Sequence, residues 1–236
     1  MYTLAAALLL AGVCVVGGKL RARLHQRRWI SVAAGVSVAT VFIDLLPGIS
    51  EKQARFSANA PASAALFHEQ AIYLAAMLGF ILFYGLEYMV VSSPSGKKVN
   101  GLVTFSLRIA AFAAYSSFIA YVLVDNTWSD LQSLSLYSLA MALHLLLVNH
   151  SLAEQDRERY EYWGRWILGL AVMAGWVVGS IAPVPELWLA RVTGFVSGGV
   201  IMNSLVVELP EGRGGRFWYF VLSAALYAFV LIRVLG

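Results

Sequence analysis

Ala34 to Gly48 reads AGVSVATVFIDLLPG, and Gly198 to Gly212 reads GGVIMNSLVVELPEG. Each is an apolar run that opens on small residues and closes on an acid followed shortly by proline. Gly35 stands nine positions before Asp44, and Gly199 nine before Glu208. Each run belongs to an apolar segment of about 20 residues, the length that crosses a bilayer as a helix. A pair of such segments in corresponding positions of two halves is the footprint of an inverted repeat, the common plan of secondary transporters.

The rest of the chain is consistent with a bilayer as solvent. Of 236 residues, 60% are hydrophobic and 13% charged, with a mean hydropathy of +0.73. A water-soluble domain carries about 25% charged residues, so too little polar surface remains to coat one here. The expectation is an all-α polytopic membrane protein forming a single transmembrane domain over residues 1–236. The lone cysteine, Cys14, excludes an intrachain disulfide and any cysteine-based metal cluster. It sits in an apolar run, where it reads as a small packing residue.

Apolar runs predict eight spans, at about 2–18, 29–49, 66–91, 102–124, 132–152, 163–182, 187–208 and 216–235. Basic residues fix their direction. Lys19, Arg21, Arg23, Arg27, Arg28, Lys97, Lys98, Arg108, Arg157, Arg159, Arg165, Arg213 and Arg216 fall on one side, against Lys52, Arg55, Arg191 and Arg233 on the other. The positive-inside rule makes the first side cytoplasmic and puts both termini outside. Trp29, Trp163, Trp166 and Trp218 mark the inner boundary, and Trp128 and Trp188 the outer one. The second span then runs outwards and the seventh inwards, so the echo is inverted.

With that topology the chain resembles the ZIP (Zrt/Irt-like) divalent-metal transporters over most of its length. AAGVSVATVFIDLLPGISE is similar to the family's glycine-rich second helix, GFILFYGLEYMV from Gly79 to its third, and SGGVIMNSLVVELPE to its seventh. The resemblance implies eight helices with both termini outside and helices 1–3 related to 6–8 by an inverted pseudo-twofold axis. It also implies a binuclear metal site on helices 4 and 5, and there this chain departs. On helix 4 the nearest stretch, Ser116-Ser117-Phe118-Ile119-Ala120-Tyr121, lacks the His and Asp of the family motif. On helix 5, His144 survives, but Leu145 replaces a carboxylate and Leu147 the proline. With neither Gly nor Pro between Leu102 and Leu152, helices 4 and 5 are expected to be unbroken.

An ionisable group inside a bilayer is expensive and is a functional candidate by default. His144 is central, and its i+3 and i+4 neighbours, Leu147 and Val148, cannot ligate. A metal there would need Ser116, Ser117 or Asn203 from other helices, while a hydrogen bond between helices would satisfy the imidazole without any ligand. Asp44 and Glu208 stand at opposite mouths of the repeat. Each reads equally as an oxygen ligand for a passing cation or as a helix end facing water. Glu87 and Arg108, just inside the cytoplasmic boundary on consecutive helices, could pair and so hold helices 3 and 4 together. Ala153 to Arg165 is dense in charge of both signs and reads as a solvated helical extension with i,i+4 pairs. The basic cluster Lys19 to Arg28 fits topology and anionic headgroups.

The function expected is therefore a ZIP-like transporter of divalent metal cations, zinc among them, with a reduced ligand set. The alternatives are a non-transporting structural or regulatory subunit on the same scaffold, and a transporter of a non-metal substrate. No Ser/His/Asp order, His-Glu-x-x-His motif or phosphate-binding glycine loop suggests an enzyme. No cofactor is expected beyond a bound divalent ion. Expected partners are the lipid bilayer, the divalent cation, and a second copy or another membrane protein. The basic residues lie at membrane boundaries, so nucleic acid is not among them. Composition and short connections suggest a bacterial inner membrane.

Overall fold

The structure is a computed structural model, and it describes residues 2–24, 27–48, 50, 62–91, 101–124, 131–182, 185–208 and 217–235. Among them there is no strand. Eight long helices follow one another: α1 (Tyr2–Leu24), α2 (Arg27–Thr40), α3 (Ala62–Val91), α4 (Gly101–Val122), α5 (Leu131–Gln155), α6 (Arg165–Ile181), α7 (Glu186–Glu208) and α8 (Phe217–Leu235). α2 continues through a π-helical turn, Val41–Leu45, to Gly48. A second π-turn, Tyr160–Gly164, leads into α6. Among the described residues, six helices are long and apolar enough to cross a membrane (α2 to α6 and α8), and α1 contributes a shorter apolar stretch, Tyr2–Gly17. α4 and α5 are unbroken, as expected from their lack of Gly and Pro within the spans.

The outer surface explains the composition. On α3 only a narrow stripe is buried, formed by Ile72, Gly79, Phe83 and Leu86, while Leu74, Met77, Leu78, Ile81, Leu82 and Met89 are exposed. α8 exposes Leu222, Leu226, Phe229 and Ile232 and buries Tyr227 and Leu231. Such contiguous apolar surface is untenable in water but natural against lipid tails. This is a multi-pass membrane protein.

Small residues let the helices approach closely, because packing rather than hydrophobicity holds helices together in lipid. A Cβ added to Gly198 of α7 would fall 1.9 Å from the Ala76 carbonyl oxygen of α3. One added to Gly79 of α3 would fall 2.1 Å from Phe195 O of α7. Gly35 of α2 lies equally close to α8, at Phe220 O and Ser223 Oγ, and Gly175 of α6 to Ser117 O of α4. The most extensive packings are α3 on α7, α4 on α6 and α2 on α8, followed by α1 on α6 and on α5. They divide the molecule into one bundle of α1, α4, α5 and α6 and another of α2, α3, α7 and α8. α2 lies against α5 across the divide, with smaller contacts of α7 on α4 and α5.

Cross-helix contacts give relative directions. Gly194 meets Ile72 and Gly198 meets Ala76, so α3 and α7 run parallel. Gly164 meets Ile109 and Gly175 meets Ser117, so α4 and α6 run parallel. Thr3 Oγ1 accepts from Trp176 Nε1 at 3.3 Å, and Gly169 packs on Val15, so α1 and α6 run antiparallel. Odd and even helices thus oppose each other wherever these contacts test them.

Candidate functional site

The site is built on α5, a helix with most of its residues buried. Ser133, Tyr137, His144, Ser151 and Gln155 are spaced by four, seven, seven and four residues, which keeps them on one face. From Ser133 to Gln155 that face rises about 33 Å, close to the ~30 Å thickness of the hydrocarbon layer. Polar groups of α2, α4, α7 and α8 gather around it at three levels.

At the centre, His144 is wholly buried. Its Nε2 lies 2.9 Å from Tyr115 Oη of α4, and the same hydroxyl is 3.3 Å from the Val196 carbonyl of α7. One phenolic proton cannot serve both. The arrangement that satisfies all three groups has Nε2–H donating to Tyr115 and Tyr115 donating to Val196 O, a tautomer assigned by the network. His144 Nδ1, which has no hydrogen-bond partner, then carries a free lone pair, the form in which imidazole binds a metal. Phe83 and Phe112 wall this pair, with ring centroids 4.9 and 6.3 Å from Tyr115.

The remaining central candidates do not join His144 by hydrogen bonds. Ser116 is wholly buried, and its hydroxyl is unpartnered. The Ser117 backbone faces Gly175 of α6. Asn203 follows Gly199 by one turn on the α7 face that meets Tyr115 and Phe83, and its Nδ2 is buried without a partner. Ser204 beside it has an unpartnered buried hydroxyl as well. Among the described residues, no three His, Cys, Asp or Glu side chains converge.

At the α5 N-terminal level, Asp44 sits inside the π-turn of α2, where the Leu46 N–H reaches back to Val41 O. The helix continues to Gly48, so Asp44 does not cap a helix end. A π-turn bulges the backbone and is frequent at functional sites. The half-buried carboxylate is within electrostatic reach of Tyr137 on α5 and Tyr227 on α8. Tyr227 Oη donates to Leu136 O at 2.6 Å, which fixes α8 against α5 at this level. Tyr137 is two turns from His144, about 10 Å along α5. Glu208 ends α7, and its side chain lies outside the described residues.

At the α5 C-terminal level, Arg108 of α4 is 3% exposed. It donates to Glu87 Oε2 of α3 at 2.9 Å, to Gln155 Oε1 at 2.8 Å and to Ser151 Oγ at 3.2 Å. The Glu87–Arg108 pair is present, and α5 completes it. A buried guanidinium held by one carboxylate and two neutral acceptors ties three helices together.

The stretch after α5 differs from a continuous solvated extension. Asp156 leaves helical geometry (φ −152°, ψ 90°) and accepts the Arg159 N–H as an N-cap. Tyr160 is fully buried, and its hydroxyl meets Asn149 Oδ1 at 2.7 Å and Cys14 O at 3.2 Å. Asn149 is therefore internal rather than solvated. The i,i+4 pairs His150–Glu154 and Glu161–Arg165 form at 3.3 and 3.1 Å.

Sequence reasoning missed Tyr115, Ser151, Gln155 and Tyr160. For Ser151 and Gln155, the four- and seven-residue spacing along α5 was the available signal; Tyr115 and Tyr160 lie on other elements and left none. No family model matches the chain, and no curated protein does.

Proposed function

We propose that this chain is a ZIP-like secondary transporter of divalent metal cations, with a reduced ligand set along the polar face of α5. The matched packing of its two halves carries this reading. Exchange of helices 1–3 with 6–8, and of 4 with 5, turns the α3–α7 contact into α8–α2 and the α4–α6 contact into α5–α1. It also turns α2–α5 into α7–α4. All of these contacts are present, as a pseudo-twofold axis in the membrane plane requires. The alternating helix directions support eight spans, and the charge asymmetry supports both termini outside, in a bacterial inner membrane.

Asp44 would take the cation at the outer mouth as a hard oxygen donor. The free lone pair of His144 Nδ1 would take it at mid-depth, with Ser116 or Asn203 as weak partners. Rocking of one bundle against the other would expose the site to each side in turn. Glu208 would serve the inner mouth.

The rival reading is a non-transporting subunit on the same scaffold. One observation favours it: the dry, aromatic-walled His144–Tyr115 pair, with no carboxylate joining His144 among the described residues. Flux of Zn²⁺, Mn²⁺ and Co²⁺ into proteoliposomes separates the two. Transport expects saturable flux in wild type, reduced at least tenfold by Asp44→Asn and by His144→Ala. Absence of flux for every ion, in vesicles that hold folded protein, rejects transport of these metals.

A further inference from the structure

We infer that the crevice between α1, α2 and α5 holds one acyl chain of an anionic phospholipid from the leaflet at the α2 N-terminus. The crevice is a cavity of about 240 Å³, walled by Gly17 of α1, Trp29, Val32 and Ala33 of α2, and Leu146 and Asn149 of α5. α1 and α2 are consecutive in the chain yet scarcely touch, and Gly17 keeps the α1 wall low where it faces α5. The lining is almost wholly apolar. Val32 and Leu146 are partly exposed, so the crevice opens on the lipid-facing surface. In a bilayer such a slot fills with hydrocarbon rather than water.

Two features at its end select the lipid. Tyr160 holds Asn149 Oδ1 at 2.7 Å, which turns the other end of that amide towards Gly17. Asn149 is 2% exposed, and among the described residues Nδ2 has no oxygen or nitrogen partner. Its side chain reaches the neighbouring Cys14 thiol, but sulfur is only a weak acceptor, so this N–H can still donate to an ester carbonyl oxygen. At the rim, Arg28 lies 5.8 Å from the ring of half-exposed Trp29. Lys19, Arg21, Arg23 and Arg27 precede it in sequence. An interfacial tryptophan beside an arginine, in a stretch of sequence rich in basic residues, is where a negative headgroup settles. The inference stands independently of the transport reading.

The test uses the whole protein, delipidated in mild detergent and titrated separately with dioleoyl phosphatidylglycerol and dioleoyl phosphatidylcholine. Native mass spectrometry counts the lipids retained. The expected result is one strongly retained phosphatidylglycerol, preferred about tenfold over phosphatidylcholine. Val32→Trp and Leu146→Trp fill the crevice from opposite walls and should each remove it, while Arg28→Gln weakens the preference. If one tryptophan variant fails to fold, the other decides. Equal retention of both lipids by wild type overturns the inference. So does undiminished phosphatidylglycerol binding in a folded tryptophan variant, which would mark the lipid as annular.

Discussion

The contact between α3 and α7 makes a quantitative prediction for Gly198→Ala. The added methyl would lie 1.9 Å from Ala76 O, 2.8 Å from Ala76 C and 2.9 Å from Phe80 N. All three are backbone atoms of α3, so no side chain can rotate aside. To restore an ordinary 3.4 Å contact, the helices must part by about 1.5 Å. Gly79 against Phe195 O and Gly194 against Ile72 O belong to the same seam, so its other close contacts open too. Overpacking costs about 1–3 kcal/mol, and a gap of 0.5–1 Å forfeits a quarter to a half of the dispersion well. Together they predict a loss of about 2–4 kcal/mol, or a drop of roughly 5–15 °C in Tm for a domain of this size. The controls are Gly12→Ala and Gly85→Ala, where a Cβ meets nothing within 4 Å. There the better helix propensity of alanine should leave stability unchanged or raised by up to about 1 kcal/mol. Melting is followed in one detergent by size-exclusion chromatography after heating. A Gly198→Ala protein melting within about 2 °C of the controls would refute the close-packed seam.

Tyr115→Phe leaves the His144 Nε2–H without an acceptor in a dry core. It should cost about 1–3 kcal/mol in the same melting assay, and Tyr115→His, which keeps a polar atom there, should lose less. Arg108→Met alone strands Glu87 and should cost about 3–5 kcal/mol, whereas Arg108→Met with Glu87→Gln should recover most of it; equal losses would show that the pair is not coupled. On topology, single cysteines in a Cys14→Ser background at Gly214 and at Ser57 should react with impermeant maleimide from opposite faces of inverted and right-side-out vesicles. Labelling from the same face would reject the eight-span arrangement.

Helix bounds were largely legible in the sequence because the bilayer dictates them. The run at 186–208, for example, could hardly be anything but one helix. The Glu87–Arg108 pair was legible too, since two opposite charges just inside one boundary on consecutive helices have few other ways to be satisfied. The partner of His144 was not. A tyrosine in an apolar helix reads as bulk, and only the register of α4 on α5 brings Tyr115 Oη to the imidazole. The echo between the two halves was legible at the level of segments but shifted in detail. Gly35 and Gly199 share their distance to an acid, yet Gly198, not Gly199, repeats the approach of Gly35 to a partner backbone. Gly199 instead makes room for the Tyr115 and Phe83 rings. Spacing to a charge records where a helix leaves the membrane, whereas close approach records which face it turns to its neighbour. The break at Asp156 was missed because its neighbours suit a helix, and the N-cap bond that Asp156 accepts from the Arg159 N–H wins locally.

The two ends of the polar face on α5 are electrostatically unlike, and this bears on what could move along it. At one end Asp44 lies within electrostatic reach of the Tyr137 and Tyr227 phenols. At the other, Arg108 is buried among neutral acceptors and a single carboxylate. An isolated guanidinium would repel a passing monovalent cation by about 4 kcal/mol at 4 Å and an effective dielectric of 20, and a divalent one by about twice that. Glu87, 25% exposed and 2.9 Å away, turns that charge into a dipole. The pair therefore holds α3 to α4 and also removes the strongest barrier to a cation at that level. A scaffold that had shed transport would still need the first role but not the second, and a neutral hydrogen-bonded pair would fill it at lower desolvation cost. In the transport reading, the charged pair would lower the barrier to a cation at that level, an argument set against the uncharged surroundings of His144.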